Sequence, residues 1–226
     1  MAVAGRVFAQ LSEEILSGRY VAGEKLPPQR TLAADLGVTM TALREALKRL
    51  EQLGLVEVRH GDAMRVTDWR ERGGLDVVAH VLFAAGGLDR ATLADVMEAR
   101  RVMLAEAARL AAERRDSAQA ARLEELAERL ATAPDAAGAQ ALDWAFFHEL
   151  VESSRNVVLL LVMNSIREIY LGRADLFEPV VAERDELAPL YRRAALAVAR
   201  RQGTTAARTV HALALVQERA LMEALA

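Results

Sequence analysis

The sequence contains no cysteine, few aromatic residues (4%) and no long apolar run. Without cysteine, disulfide bonds and thiolate metal sites are excluded, which is consistent with a reducing compartment. No apolar run approaches the roughly 18 residues that span a membrane, and the N-terminus lacks the basic-then-apolar pattern of a secretion signal. We therefore expect a cytoplasmic protein that does not bind a membrane.

Lysine is also scarce. It occurs only at Lys25 and Lys48, so arginine supplies nearly all of the positive charge. The net charge of −3 is not typical of a protein that binds nucleic acid over its whole surface. Residues 1–68 carry nine Lys/Arg and nine Asp/Glu. Any affinity for DNA must therefore come from local clustering of charge.

Three helices are predicted in the first part of the chain. Apolar residues at helical spacing indicate a first helix over residues 5–17, and a stretch with glycine and two prolines separates it from a second helix at about 28–36. Gly37 ends the second helix, and the hydroxyl of Thr39 can cap a third. The third helix has one buried stripe at i, i+3, i+4 and i+7, formed by Leu43, Ala46, Leu47 and Leu50.

A hairpin and a linker follow these helices. Two short runs, 55–59 and 64–67, flank a turn around Gly61 and Asp62, which predicts two antiparallel strands. Residues 69–75 are polar and contain a Gly-Gly pair, which indicates a linker. The chain is thus expected to form one domain over residues 1–68 and another over residues 76–226.

The second domain is predicted to be entirely helical, so the fold class is mainly α. No β pattern appears in it, and a bundle of six to seven helices with room for an interior cavity is expected. Thr92 and Asp95 have the spacing of a capping box, Asp116 or Ser117 begins the next helix, and Pro189 is expected to kink or shorten a later one. The predicted helices are 76–85, 91–114, 116–133, 138–153, 157–174, 180–200 and 204–224.

The third helix, in the stretch "GVTMTALREALKRL", has a polar outer face. At about 100° per residue from Leu43, the side opposite the buried stripe carries Thr41, Arg44, Glu45 and Lys48. Hydroxyl groups near the N-terminal end, with a positive charge one turn later, suit a helix that enters the major groove of DNA. A solvated amphipathic helix in a small bundle would have a similar face, so the helix alone leaves both interpretations open.

The residues around this helix resemble the winged helix-turn-helix domain of the GntR transcriptional regulators. The resemblance covers residues 7–67 and rests on "GRYVAGEKLP", "RTLAADLGV", "LREALKRL" and the glycine after the first strand. It continues in "HGDAMRVTDWRERGGLDVV" and "DWAFFHELVESSRN", which are similar to the FadR subfamily. The resemblance implies a DNA-binding regulator that works as a homodimer on a palindromic operator.

The resemblance also implies the residues that contact DNA. These are Arg30 in the second helix, Thr39, Met40, Thr41 and Arg44 in the third helix, and His60 and Gly61 at the tip of the wing. The chain departs from the family in two places, because Met40 stands where arginine is common and Asp62 adds a negative charge to the wing tip. Methionine cannot make the bidentate contact of arginine with guanine, so a different operator preference is expected.

Many relatives with a helical ligand domain bind a metal through one Asp and three His, the first two one helical turn apart. In the register set by Asn156, Asp143 matches the acidic ligand, but Phe147 occupies the position of the first histidine. Arg193 stands where another histidine is expected, and His211 falls about one turn early. We expect no metal and no other cofactor. An alternative stays open, in which a slip of one residue brings His148 and His211 to Asp143 and a small organic acid binds at a metal there.

The resemblance to the FadR subfamily implies instead a small-molecule effector of the acyl-CoA type. Phe147 makes the expected site apolar, Arg100 can meet an anionic group and Tyr170 matches a tyrosine of the pocket. The effector-binding residues are thus expected to be Arg100, Asp143, Phe147 and Tyr170. His80 and the other isolated histidines are interpreted as structural.

An enzyme is not expected. The sequence shows no nucleophile–base pair, no carboxylates at catalytic spacing and no Gly-rich phosphate loop. A protein that uses its winged helix for protein contacts is a further alternative, which salt-dependent binding to a palindromic DNA fragment would distinguish. The sequence therefore favours a regulator of transcription, most simply a repressor.

Overall fold

A computed structural model describes residues 2–58, 64–84 and 87–226 of the chain. The structure is mainly helical, as predicted, with a small two-stranded sheet near the N-terminal end. The chain divides into two compact units, residues 1–93 and residues 94–226.

Three helices form the body of the first unit. They are α1 (Val3–Leu16), α2 (Gln29–Asp35) and α3 (Met40–Gln52). Gly37 has a φ of +64°, a left-handed conformation that glycine adopts without steric cost, and it ends α2 as predicted. The stripe predicted on α3 is buried, since Leu43, Ala46, Leu47 and Leu50 are at most 2% exposed and belong to the core of this unit.

The predicted hairpin forms a short antiparallel sheet. Strand β1 (Val56–Glu57) pairs with β2 (Arg65–Val66), with Val56 opposite Val66. The loop between α1 and α2 lies along the other edge of β2, where the Val66 amide donates to the Glu24 carbonyl (2.9 Å) and the Gly23 amide donates to the Val66 carbonyl (2.8 Å). The base of the wing is therefore fixed on both sides of β2.

Two short helices lie within residues 69–82, where a linker and the start of the second domain were predicted. They form α4 (Trp69–Arg72) and α5 (Leu75–Leu82). Val77 of α5 is 2% exposed and belongs to the core of the first unit, and the ring of His80 packs edge-on against Phe8 of α1 at 5.3 Å between centroids. The polar Gly-Gly stretch suggested a linker, whereas apolar packing of the next turns assigns α5 to the first compact unit.

The second unit is built from helices of very different lengths. The long ones are α6 (Arg90–Arg114), which begins in the last residues of the first unit, α7 (Ser117–Ala131), α8 (Ala136–Ser153), α12 (Arg184–Ala199) and α13 (Gly203–Ala224). The short ones are α9 (Val157–Ser165), α10 (Arg167–Gly172) and α11 (Ala174–Phe177), and a 3₁₀ turn (Glu178–Val181) precedes α12. The helix predicted over 157–174 is therefore interrupted, after Ser165 and again after Gly172. Pro189 lies inside α12, near its start.

Polar side chains cap the starts of α6 and α7. Asp116 and Gln119 form a reciprocal capping box at the start of α7, which decides between Asp116 and Ser117 in favour of Asp116. At the start of α6 the prediction was wrong, because Asp89 rather than Thr92 acts as the cap. The Asp89 carboxylate accepts from the Thr92 amide at 2.7 Å, and this interaction lowers the pKa of Asp89.

Apolar side chains from α6, α7, α8, α12 and α13 form one core in the second unit, with Phe146, Phe147 and Tyr191 at most 2% exposed. Within the residues that the structure describes, no helix is both long enough and apolar enough to cross a membrane.

Candidate functional site

The N-terminal end of α3 presents the residues predicted to face DNA. Thr39 is the N-cap, and its hydroxyl oxygen accepts from the Ala42 amide at 3.3 Å, which confirms the predicted cap. Thr39, Thr41 and Arg44 are exposed, and Arg30 of α2 is exposed as well. The helix therefore leaves these side chains free to meet a partner on its outer face.

Met40 differs from its neighbours on this helix. It is partly buried and packs against the core of the first unit. The side chain of Met40 therefore contributes to packing at the start of α3. The two wing-tip residues, His60 and Gly61, lie outside the described residues.

The four residues predicted to bind an effector lie together in the interior of the second unit. Asp143 of α8 is 1% exposed and accepts from the hydroxyl of Tyr170 on α10 at 2.6 Å. The guanidinium of Arg100 on α6 lies 4.0 Å from the same carboxylate and 4.8 Å from the centre of the Phe147 ring. A cation, a carboxylate, a phenol and an aromatic face thus meet at one point.

Two further residues complete this arrangement and were not predicted. The hydroxyl of Tyr191 on α12 donates to the other oxygen of Asp143, and the side-chain amide of Gln217 on α13 donates to that oxygen at 2.7 Å. The carbonyl oxygen of Gln217 accepts from Arg100 at 2.8 Å. We call the set Arg100, Asp143, Tyr170, Tyr191 and Gln217 the Asp143 centre.

A signal for one of the two missed residues, Gln217, was present in the sequence. Gln217 interrupts an apolar stripe on α13, four residues after Leu213 and four before Leu221, and all three are fully buried. A polar residue inside such a stripe needs a hydrogen-bonding partner, which makes it a candidate for a buried site. Tyr191 lies two residues before Arg193, which had been matched to a ligand position. Arg193 is exposed, so the side chain that reaches the centre is Tyr191.

The surroundings of the Asp143 centre fix the protonation of its tyrosines. Burial is the main cause that raises the pKa of Tyr170 and of Tyr191 well above the ordinary value, and the neighbouring Asp143 carboxylate adds to it. Both hydroxyls therefore stay protonated and act as hydrogen-bond donors. The Nη1 atom of Arg100 is buried without a hydrogen-bond partner, which leaves one donor of this cation unused.

The histidines considered for a metal site contact other residues. His148 pairs with Glu152 on its own helix at 3.6 Å, and its ring lies 6.2 Å from that of Trp144. The guanidinium of Arg101 donates to the Nε2 atom of His211 at 2.7 Å. The slip of one residue that would bring both to Asp143 does not occur in this structure.

The residues of the Asp143 centre do not suit a metal ion. Both carboxylate oxygens already accept from protein donors, and Phe147 offers no ligand atom one turn after Asp143. Across the residues 2–58, 64–84 and 87–226, no group of three or more His, Cys, Asp or Glu side chains is arranged to hold a metal.

An open groove of about 1110 Å³ runs along the surface of α7 and α8. Trp144 lines it, and the Trp144 ring lies 6.1 Å from that of Tyr170, so the groove adjoins the Asp143 centre. Arginines of the groove are paired with glutamates, as Arg122 is with Glu149 at 3.5 Å. The groove is therefore polar but not strongly charged.

Comparisons with known proteins agree with both units. Residues 3–66 match the bacterial regulatory proteins of the gntR family, and residues 95–215 match the FCD domain. The chain is 40% identical over 164 residues to the HTH-type transcriptional regulator Mce2R of Mycobacterium tuberculosis, which covers 73% of this chain and 68% of that protein. It is 28% identical over 168 residues to the fatty acid metabolism regulator protein of Yersinia pestis, which covers 74% of this chain and 69% of that protein.

A solved structure shows the same fold. Lar of Listeria monocytogenes aligns with a TM-score of 0.61 and 17% identity, over 99% of this chain and 98% of the chain of Lar. The matching families consist of transcriptional regulators rather than enzymes. The chain belongs to the GntR family of bacterial DNA-binding transcriptional regulators, in the group with an FCD effector-binding domain, as its resemblance to the FadR subfamily predicted.

Proposed function

We propose that this regulator is a repressor that binds a palindromic operator as a homodimer and is released by an acyl-CoA or a related fatty-acid metabolite. The observation that carries the effector part is the buried guanidinium of Arg100, which has an unused donor and lies beside the aromatic face of Phe147. Such a pair suits a ligand with an anionic or strongly polar group attached to an apolar chain.

On the DNA side, the exposed residues at the start of α3 are proposed to make the contacts. Arg44 reads a base edge or holds a phosphate, while Thr39 and Thr41 contact bases or phosphates from the N-terminal turn. Arg30 holds the adjoining phosphate backbone, and the wing tip at His60 and Gly61 enters the minor groove. Because residues 1–68 have no net charge excess, one copy binds DNA weakly and two copies are needed.

On the effector side, the name of the Yersinia relative supports a fatty-acid metabolite. The apolar chain of the ligand would pack against Phe147, while its polar end meets the unused Nη1 of Arg100. The adjoining groove at Trp144 offers room for a bulky head group. The alternative of a small organic acid held by a metal lacks support, because Phe147, His148 and His211 do not offer ligands at Asp143.

A gel-shift titration tests the proposal. The protein is bound to a labelled palindromic fragment from its own promoter region, and acyl-CoAs of increasing chain length are added, with free CoA and free fatty acids as controls. Release should strengthen with chain length by up to about fourfold per methylene until further methylenes are no longer buried, since each buried CH₂ contributes about 0.8 kcal/mol. If no acyl-CoA of any length releases the DNA, the effector part of the proposal is wrong.

Variants separate the effector site from DNA binding. Arg100→Met keeps an unbranched apolar stem but removes the charge beside the buried Asp143, so the variant should melt at a lower temperature. Below that temperature it should bind the operator and require much more acyl-CoA for release. The matched control is Arg109→Met on the same helix, whose guanidinium pairs with Glu106 and Glu113 at 2.6 Å on the surface. If the same acyl-CoA concentration released both variants from DNA, Arg100 would be excluded from the effector site.

A further inference from the structure

The Asp143 carboxylate is fully engaged by donors that belong to the protein. One oxygen accepts from Tyr170 (2.6 Å), and the other accepts from Tyr191 and from Gln217 (2.7 Å). Gln217 also donates to the Tyr191 oxygen at 2.8 Å, so the donors are linked to one another. A buried carboxylate without such partners would strongly destabilise the fold.

We infer that the Asp143 centre is a metal-free structural junction, in which Arg100, Tyr170, Tyr191 and Gln217 together do what a bound metal would do. A metal at this position would join the helices that supply its ligands and neutralise the carboxylate. Here the hydrogen bonds join α6, α8, α10, α12 and α13. The positive charge is supplied by Arg100, 4.0 Å from the carboxylate.

The side chains of the junction are also poor metal ligands, so a metal ion would not displace these hydrogen bonds. Both tyrosines are held in the protonated form by burial, which raises the pKa of each, and a protonated phenol is a poor ligand. The amide nitrogen of Gln217 faces Asp143 and its oxygen faces Arg100, so neither atom is free. A divalent cation would in addition be repelled by the guanidinium of Arg100, which cannot lose its proton in a protein.

Metal content and thermal stability of the untagged, full-length protein test this inference. We expect no stoichiometric metal by elemental mass spectrometry, and the same melting temperature with EDTA, with Zn²⁺ and with neither. One equivalent of tightly bound metal per chain, or a clear fall in melting temperature on chelation, would overturn the inference. These readouts involve no effector, so they are independent of whether acyl-CoA releases the protein from DNA.

Two variants test the role of the individual donors. Tyr191→Phe and Gln217→Met each remove a donor from Asp143 while nearly keeping the side-chain volume. Each should lower the melting temperature by roughly 3 to 10 °C, from a buried hydrogen-bond loss of about 1–3 kcal/mol. The loss should be the same with and without EDTA.

Tyr20→Phe is the matched control, because Tyr20 is a partly buried tyrosine of the first unit and lies outside the Asp143 centre, and the variant should melt like the wild type. If EDTA removed the difference between Tyr191→Phe and the wild type, Tyr191 would act through a metal and the inference would fail. A wild-type melting temperature in both donor variants would equally contradict it.

Discussion

Met40 begins α3 with an apolar side chain among exposed polar neighbours, and it packs partly against the core of the first unit. Family members commonly carry arginine at this position, as the resemblance to the GntR regulators implies. The exchange removes a side chain that can bind guanine in a bidentate manner and adds one that stabilises the helix start by packing. At this position an arginine would favour base recognition, whereas methionine favours packing against the core.

We predict that Met40→Arg changes the operator preference at one position of each half-site, towards guanine. Selection of binding sequences from a randomised duplex pool, for the wild type and the variant, measures this change. Met40→Leu, which keeps an apolar side chain, should select the wild-type sequences. The prediction would be contradicted if the arginine variant selected the same operators as the wild type.

The surroundings of Glu149 on α8 disfavour its charged form. Burial raises its pKa, although Arg122 at 3.5 Å acts in the opposite direction. A carboxyl whose pKa is higher in the folded than in the unfolded state stabilises the fold below its ordinary pKa. That stabilisation is lost as the pH rises through the raised value.

Glu149→Gln should therefore raise the melting temperature at pH 7, and the gain should shrink as the pH falls into the acidic range where the wild-type carboxyl is protonated. Melting curves across that range measure the effect. The control is Glu152→Gln, an exposed carboxylate one turn away, for which we expect little change. A gain for Glu149→Gln that is the same at every pH would have another cause.

Two turns between helices of the second unit hold an arginine in a backbone conformation that favours glycine. Arg155, between α8 and α9, has a φ of 50°, and Arg201, between α12 and α13, has a φ of 58°. An L side chain in this left-handed region costs roughly 1 kcal/mol or more relative to glycine. At Arg201 two hydrogen bonds offset this cost, because its guanidinium donates to the carbonyl oxygens of Glu113 (2.7 Å) and Arg115 (3.3 Å).

Arg155→Gly is expected to raise the melting temperature by about 2–4 °C, which corresponds to roughly 1 kcal/mol for a chain of this size. The ion pair that it loses, with Asp116 at 4.0 Å, is exposed and contributes little. Arg201→Gly should gain less or be destabilising, because two hydrogen bonds are lost together with the strain. Calorimetry of both variants makes the comparison, and an equal gain for both would refute the compensation.

Elements that rest on local signals were predicted well from the sequence. Helices α1 to α3 and the hairpin follow from apolar spacing, glycine and a capping hydroxyl, all of which act within a few residues. The interruptions after Ser165 and Gly172 in the helix predicted over 157–174 were missed, because no proline marks either position and the apolar run at 157–162 gives no helical period. The role of α5 was missed because it depends on packing against α1.

The candidate effector site was predicted in part. Arg100, Asp143, Phe147 and Tyr170 were named through the family resemblance and do lie together. Gln217 could have been found from its place in the apolar stripe of α13. Tyr191 reaches Asp143 through a contact between helices that are distant in sequence, which spacing along one helix cannot predict.

At the scale of the whole molecule, the charge of the chain bears on how it finds DNA. With a net charge of −3, attraction to DNA depends on the local face of α3 and on the number of copies that bind at once. The homodimer proposed above doubles the phosphate contacts without changing the charge of each copy.

Binding to a full palindrome and to a single half-site should therefore differ in salt dependence as well as in affinity. The slope of log K against log salt should be about twice as steep for the palindrome, because the slope is proportional to the number of phosphates contacted. Fluorescence anisotropy at several salt concentrations measures both slopes. Equal slopes on the two fragments would mean that a single copy makes all of the contacts.

The Arg100–Gln217 hydrogen bond joins residues that are 117 positions apart in the chain. Contacts of such long range form late in folding, because the entropy of closing the intervening loop must be overcome first. Until α13 docks, Asp143 lacks one donor and Arg100 lacks its amide acceptor. Helix α13 therefore supplies the last hydrogen bonds to this buried charged pair. The second unit should unfold as one cooperative unit only when that helix is docked.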